Sequence, residues 1–345
     1  MSRFRRDIFH VMPAGEEKHT LSFINILSAL SGGERCRYFI VGDNQHIHGV
    51  KRGISIEYFY GNEAYKVLLQ KLGFAEKIIM HGIWPTFVCD FLAKNPKLMK
   101  KTVWIPWGGD FYFPEKQPSA RHEFIRMVPK IISASGADKK YIIQNYSANA
   151  DFIKMFPYPV SVFREDSSES KLPDKINRKT RILVGNSATR TCNHYESFVA
   201  IEKANIPDKE VICPLGYGLE KVRKNVIQLG RDFFGDSFFA INSMLGFSEY
   251  RNFLKDIDIA VFAHDRQQAL GNCYILLSLG KTLYLKARSP IHEHLTEYGF
   301  HVRSLFDLGR GGLDSQEIKD NVETCKKFMS REIYLENWER FLLED

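Results

Sequence analysis

Short apolar runs alternate with helical stretches along this chain, and the alternation breaks once before it restarts. In the first half Asp7–Met12, Arg37–Gly42, Lys77–His81, Thr102–Trp107 and Lys130–Ala134 read as strands, with helices such as Lys18–Leu30 and Glu63–Leu72 between them. Parallel neighbours need a crossover long enough to hold a helix, so this order predicts parallel, doubly wound sheets. Several runs end in small or polar clusters, among them Val41-Gly42-Asp43-Asn44, Met80-His81-Gly82 and Trp107-Gly108-Gly109-Asp110. A polar stretch, Arg164–Thr180, reads as a linker. The pattern then resumes with strands at Arg181–Ser187, Lys209–Leu215, Asp256–Ala263 and Lys281–Leu285, and a helix at Gly271–Leu279. The division is therefore residues 1–165, residues 180–330, and a closing helix in 331–345 expected to pack back toward the first unit. Ligands of such sheets sit at the carboxyl ends of strands, and a pair of them is expected to form a cleft.

Size and composition agree with this. A chain of 345 residues, 44% apolar and 26% charged, makes two ordinary globular domains of about 150 residues each. No apolar run approaches the length of a spanning helix, and none follows the arginines of Met1–Asp7, so no signal peptide is expected. Six scattered cysteines show no metal spacing and read as reduced thiols. The net charge of +7 is uneven. Between Lys94 and Lys130 eight Lys or Arg meet three acids, among Trp104, Trp107, Phe111, Tyr112 and Phe113. Such a surface suits anionic lipid, a pyrophosphate or nucleic acid, or is a solvated helix face. No nucleic-acid-binding motif accompanies it, so nucleic acid is not expected as a partner.

The segment richest in chemistry is Phe262–Tyr274. A buried strand ends, a loop supplies Arg266, Gln267 and Gln268, and Gly271 and Asn272 open an apolar helix. A helix start exposes unpaired N–H groups and partial positive charge, which suits a phosphate, and Arg266 adds bidentate hydrogen bonds. Gly185, Asn186 and Ser187 form a second loop of this kind or an ordinary turn, and Gly216 and Tyr217 a third, in which Tyr217 either meets a base or simply turns the chain. In the first half Trp107-Gly-Gly-Asp110-Phe-Tyr112 sets an acid among aromatics that can stack on sugars, or is equally a core Trp with a turn Asp. Asp256-Ile-Asp258 enters a strand rather than leaving one, so it reads as a helix end and not a metal site. His292-Glu-His294 lacks the second histidine of a zincin, and no P-loop, GxGxxG or GxSxG elbow is present.

Ile182–Ser187, Pro214-Leu-Gly-Tyr217 and Arg266-Gln-Gln268 with Gly271, together with His10-Val, Val41-Gly42, His81-Gly82 and Trp107-Gly-x-Asp110-x-Tyr112, resemble the bacterial TDP-4-acetamido-4,6-dideoxygalactose transferases of enterobacterial common antigen synthesis, in order from about Ile8 to Leu343. The resemblance implies a GT-B fold, two Rossmann-like domains facing across a cleft. It also implies retaining transfer from a TDP-sugar to a polyprenyl-diphosphate-linked saccharide, by a peripheral protein on the cytoplasmic face of the bacterial inner membrane. Where the family has Gly-Ile-Gly-Thr this chain has Ala269-Leu-Gly-Asn272, and Arg288 stands where a Glu is expected. With no metal motif and no cofactor expected, Arg266, the Gly271/Asn272 helix start and the Asn186–Ser187 loop take the leaving charge. Asp110, His81 and His10 then orient the acceptor or stabilise the oxocarbenium-like charge. Lys94, Lys97, Lys100, Lys101, Arg121, Arg126 and Lys130, with Trp107 and Tyr112, meet the acceptor and an anionic membrane. The competing readings are a nucleotide-sugar 2-epimerase and a non-catalytic nucleotide-sugar binder.

Overall fold

The computed structural model describes residues 7–15, 17–42, 47–159 and 178–344. Asp43 and Asn44, the arginines of the first six residues and most of the linker segment lie outside the described residues. The chain forms two compact units, Met1–Pro159 with Arg331–Asp345, and Val160–Ser330.

The first unit is a seven-stranded sheet. Its strands are β1 Ile8–Pro13, β2 Cys36–Val41, β3 Ile56–Phe59, β4 Lys77–His81, β5 Thr102–Ile105, β6 Lys130–Ile132 and β7 Asp151–Ile153. They lie in the order β3-β2-β1-β4-β5-β6-β7, and every pairing is parallel. The second unit has β8 Thr180–Val184, β9 Lys209–Pro214, β10 Phe238–Ile241, β11 Ile259–Phe262, β12 Thr282–Leu285 and β13 Arg303–Ser304. Their order is β10-β9-β8-β11-β12-β13, again all parallel. In both sheets the order reverses beside the first strand. Connections leave to opposite faces there and open a crevice beyond the carboxyl ends of β1 and β4, and of β8 and β11.

Central strands are covered on both faces, so they appear in sequence as unbroken apolar runs; five of the six residues of β1 and all four of β12 are buried. The four strands absent from the sequence reading, β3, β7, β10 and β13, are the four sheet edges, only two to four residues long and partly exposed. The Asp256–Ala263 run contributes only Ile259–Phe262 as strand. Asp258 accepts from Arg178 Nη2 at 2.8 Å and from the Arg181 amide at 3.0 Å, a structural tie between strand starts.

Trp104 anchors the first core, edge-on to Phe111 and Phe124. Phe198 does the same in the second, against Phe234 and Phe238. The last helix, Arg331–Leu343, folds with the first unit. Its buried Trp338 packs edge-on against Phe23 at 5.1 Å, and Lys77 and Arg35 donate to the Phe341 and Leu342 carbonyls.

Candidate active site

In the second unit, backbone contacts draw three loops together beyond the carboxyl ends of β8, β9 and β11. Gly185 follows β8 with φ +65°, and a Cβ there would lie 2.7 Å from His194 Nε2, so a side chain would be strained and would require His194 to move. The Ala188 amide donates to the Tyr217 carbonyl at 2.7 Å, and the Leu219 amide to that of Ala188 at 2.9 Å. This clasp brings Asn186 Nδ2 within 2.7 Å of the Tyr217 hydroxyl. The Asp265 amide donates to the Thr191 carbonyl at 3.0 Å and fastens the β11 loop to the same place. Gln268 Nε2 then lies 3.3 Å from Asn186 Oδ1, and Gln268 Oε1 accepts from the Thr191 hydroxyl at 2.7 Å.

Arg266 is partly exposed, and its Nη1 donates to the Gln267 carbonyl at 3.2 Å. Its charge is felt at Tyr217: burial raises that phenol's pKa, while Arg266 and Asn186 act in the opposite sense. The following helix opens at Leu270, one residue before the expected Gly271. Ala269 precedes it in the left-handed region, φ +60°, and provides no side-chain cap. The first-turn amides are therefore left without an intrahelical or capping acceptor. Asn272 does not cap the turn; its Nδ2 donates to the Tyr250 hydroxyl at 2.8 Å. Ser187, expected to meet a ligand, is buried and bonded to Thr189 at 3.0 Å. Gly216 lets the 243–244 backbone approach, since a Cβ there would lie 2.6 Å from the Ser243 carbonyl oxygen. Asn186, Tyr217, Arg266, Gln267, Gln268, Gly271 and Asn272 are thus gathered on one sheet edge. Such an edge, with a guanidinium and uncapped amides, is built to hold an anion.

The carboxyl end of the first sheet is organised differently, and it corrects three expectations. Asp110 is fully buried. Its carboxylate accepts from the Trp107 amide at 2.8 Å, Trp104 Nε1 at 3.1 Å and the Ile83 amide at 3.2 Å. Burial pushes its pKa up to about 6. It fixes the loops after β4 and β5 to each other, with its carboxylate enclosed. His10 and His81 are equally buried, with ring nitrogens 2.9 Å apart, and His81 Nδ1 lies 2.6 Å from the Tyr158 hydroxyl, which accepts from Trp107 Nε1 at 2.7 Å. Burial, aided by Lys77, lowers His10 to about 3, and burial and His10 hold His81 well below its usual value. Neutral, enclosed rings do not face a developing cation. Tyr112 is also internal, donating to Asp138 Oδ1 at 2.7 Å.

The basic residues do not form one patch. Arg121, in the first turn of the helix Ser119–Met127, lies at the carboxyl end, donating to the Ile83 carbonyl at 2.9 Å and covering the Trp84 ring at 4.8 Å. Lys100 and Lys101 precede β5, Lys130 opens β6, and Lys94, Lys97 and Arg126 stand where helices return to the strand starts, so these six belong to the opposite, amino end. Lys94 pairs with Asp90 and Arg126 with Glu123, and Lys101 donates to the Ala75 carbonyl. Trp84, absent from the sequence reading, is 40% exposed and lies against Gly82 and Gly109, where added Cβ atoms would meet its ring at 2.9 and 2.8 Å. In sequence the one local mark is Gly82 of Gly82-Ile-Trp84, since Gly109 comes alongside only in the fold. Among the described residues no three His, Cys, Asp or Glu converge as metal ligands.

Solved structures share this architecture along nearly the whole chain. A glycosyltransferase from Rickettsia africae aligns with a TM-score of 0.70 at 14% identity, over 99% of this chain and 100% of its own. Anabaena HepE in complex with UDP and glucose gives 0.68 at 13% identity, over 98% of each. The N-terminal domain of Candida albicans trehalose-6-phosphate phosphatase gives 0.69 at 11% identity, over 98% of this chain and 96% of that one. The two parallel-sheet units are those of the GT-B fold. The family model described as 4-alpha-L-fucosyltransferase glycosyl transferase group 56 matches residues 6–342, and the chain belongs to that family of hexose-transferring glycosyltransferases.

Proposed function

We propose that this glycosyltransferase moves a deoxyamino sugar, 4-acetamido-4,6-dideoxygalactose or a relative, from a TDP-sugar to a lipid-diphosphate-linked saccharide in bacterial surface polysaccharide synthesis. The observation that carries the donor half is the gathering of Arg266, Gln268, Asn186 and the uncapped helix start at the reversal point of the second sheet. Departure of a nucleoside diphosphate builds negative charge there, and a guanidinium with oriented amides stabilises it without a divalent ion. Anabaena HepE holds UDP and glucose on the same fold, which supports a nucleotide-sugar donor here. The burial of Asp110, His81 and His10 favours retention by front-face attack, in which the leaving phosphate oxygen takes the acceptor proton.

The acceptor is held on the first unit near Trp84, Trp107 and Arg121. No helix among the described residues is long and apolar enough to cross a membrane. Association with the cytoplasmic face of the inner membrane rests instead on Lys97, Lys100 and Lys130, each contributing about 1 kcal/mol at an anionic surface. Flotation with anionic vesicles is expected to weaken with salt and with Lys97, Lys100 and Lys130 changed to Gln; binding indifferent to both rejects the surface.

A thermal-shift screen tests the donor. TDP-sugars are expected to raise the melting temperature above their UDP and GDP counterparts, because a ligand of the native state stabilises it by mass action. Turnover of the same sugar, releasing TDP only when the lipid-linked acceptor is present and persisting in EDTA, distinguishes the transferase from an epimerase or a binder. Stabilisation by none of the nucleotide sugars overturns the reading.

A further inference from the structure

Cys192 is fully buried beneath the donor loops, and nothing in the reaction described above uses it. Its sulfur nevertheless stands within hydrogen-bond reach of Ser187, Thr189, Asn186 and Gln268. Gln268 Nε2 donates to it at 3.0 Å, and its own S–H donates to Asn186 Oδ1 at 3.3 Å. The hydroxyls of Thr189 and Ser187 stand at 3.3 and 3.4 Å. The bonds run in one direction, from the Thr191 hydroxyl to Gln268, to Cys192, to Asn186 and on to the Tyr217 hydroxyl. This single chain spans the loops after β8, β9 and β11, with Cys192 at its centre.

The distances suit sulfur. A hydroxyl in the same place sits closer to its own Cβ by about 0.4 Å, yet it keeps both a donor and an acceptor, whereas a methyl keeps neither. His264, fully buried and stacked on Phe262 with ring centroids 4.9 Å apart, adjoins the thiol. Neither of its ring nitrogens reaches a well-aligned partner. Burial alone would raise the Cys192 pKa, but His264, His194 and the Ser187 hydroxyl bring it below its ordinary value.

We propose that Cys192 is a positioning residue that sets the spacing between Asn186 and Gln268, and thereby shapes the grip on a nucleoside diphosphate. Without it the two amides keep only their direct 3.3 Å contact. This rests on the donor reading given above.

The test is calorimetric titration of thymidine diphosphate and uridine diphosphate into wild type, Cys192→Ala and Cys192→Ser, with circular dichroism as the check on folding. Cys192→Ala is expected to weaken binding about tenfold and Cys192→Ser to recover to within about threefold, as the loss and retention of one buried hydrogen-bond link require. A volume or packing role would leave Ser no better than Ala. Thiomethylation of the wild type by methyl methanethiosulfonate, which forms a mixed disulfide and releases methanesulfinate, mapped by mass spectrometry, is expected to slow at Cys192 and not at Cys36 of the first unit when the diphosphate is bound. That measurement decides the matter if Cys192→Ala does not fold. A folded Cys192→Ala variant with unchanged affinity, or no protection of Cys192, overturns the positioning role while the donor reading stands. A wild type that binds neither diphosphate removes both.

Discussion

Acid should loosen the first unit, and the His10–His81 pair sets the size of the effect. Both rings are buried and neutral, with His10 held at about 3 and His81 well below its usual 6.5. A histidine with a lowered folded-state pKa contributes stability that is present above the unfolded value and lost as pH falls through it. Going from about pH 7 to about pH 5, each ring is protonated in the unfolded chain but not in the folded one, which costs about 2 kcal/mol per histidine. Asp110 acts in the opposite sense. Its folded-state pKa of about 6 lies above the ordinary 3.8, so acidification through 6 favours the folded state, by about 1 kcal/mol over the same interval. The net loss is about 2–3 kcal/mol, a large share of an ordinary domain's stability. All four tryptophans, 84, 104, 107 and 338, lie in the first unit, so their fluorescence follows its unfolding alone. With a urea slope of about 2 kcal/mol/M, the midpoint should fall by about 1 M between the two pH values. In a His10→Gln/His81→Gln variant the loss should vanish and the opposite slope of Asp110 should emerge. A wild-type midpoint that holds steady or rises on acidification refutes the assignment of two neutral, enclosed imidazoles.

Two further outcomes concern the donor loops. Arg266→Ala should lower the turnover rate at saturating donor by about 10²–10³-fold, the usual effect of removing a group that stabilises leaving charge; an unchanged rate would remove Arg266 from the chemistry. Gly185→Ala should destabilise the second unit by about 1–3 kcal/mol, combining left-handed backbone with the contact on His194, and far-ultraviolet circular dichroism during thermal unfolding is the check.

Nine strands are visible in the sequence because each is a local apolar run of a sheet interior. The four that are not visible are edges, where one side lacks a neighbour and the apolar signal fades. Loop chemistry follows the same division. Arg266, Gln268, Asn186 and Tyr217 stand in loops that directly follow strands, so parallel topology alone gathers them. Trp84 also stands in a loop that directly follows a strand, β4, but its setting, like that of Cys192 further along the loop after β8, comes from contacts made in the fold: two glycines and an arginine around the one, and Gln268 from a distant loop beside the other.

By itself the sequence determined two parallel α/β units, the strand ends where polar groups collect, and the order of motifs that marks a glycosyltransferase. Tertiary structure alone decided which of those polar groups are buried and which are exposed. Asp110, His10 and His81 have the residue types of catalysis, yet all three are buried; partners up to 77 residues away in sequence take up Asp110 and both ring nitrogens of His81, while His10 Nε2 is enclosed with no hydrogen-bond partner among the described residues. The six amino-end cations stand apart from Arg121 because a strand separates its two ends in space. The physical reason is range. Apolar periodicity is read within a few neighbours along the chain, whereas desolvation and pairing depend on whatever the fold brings alongside.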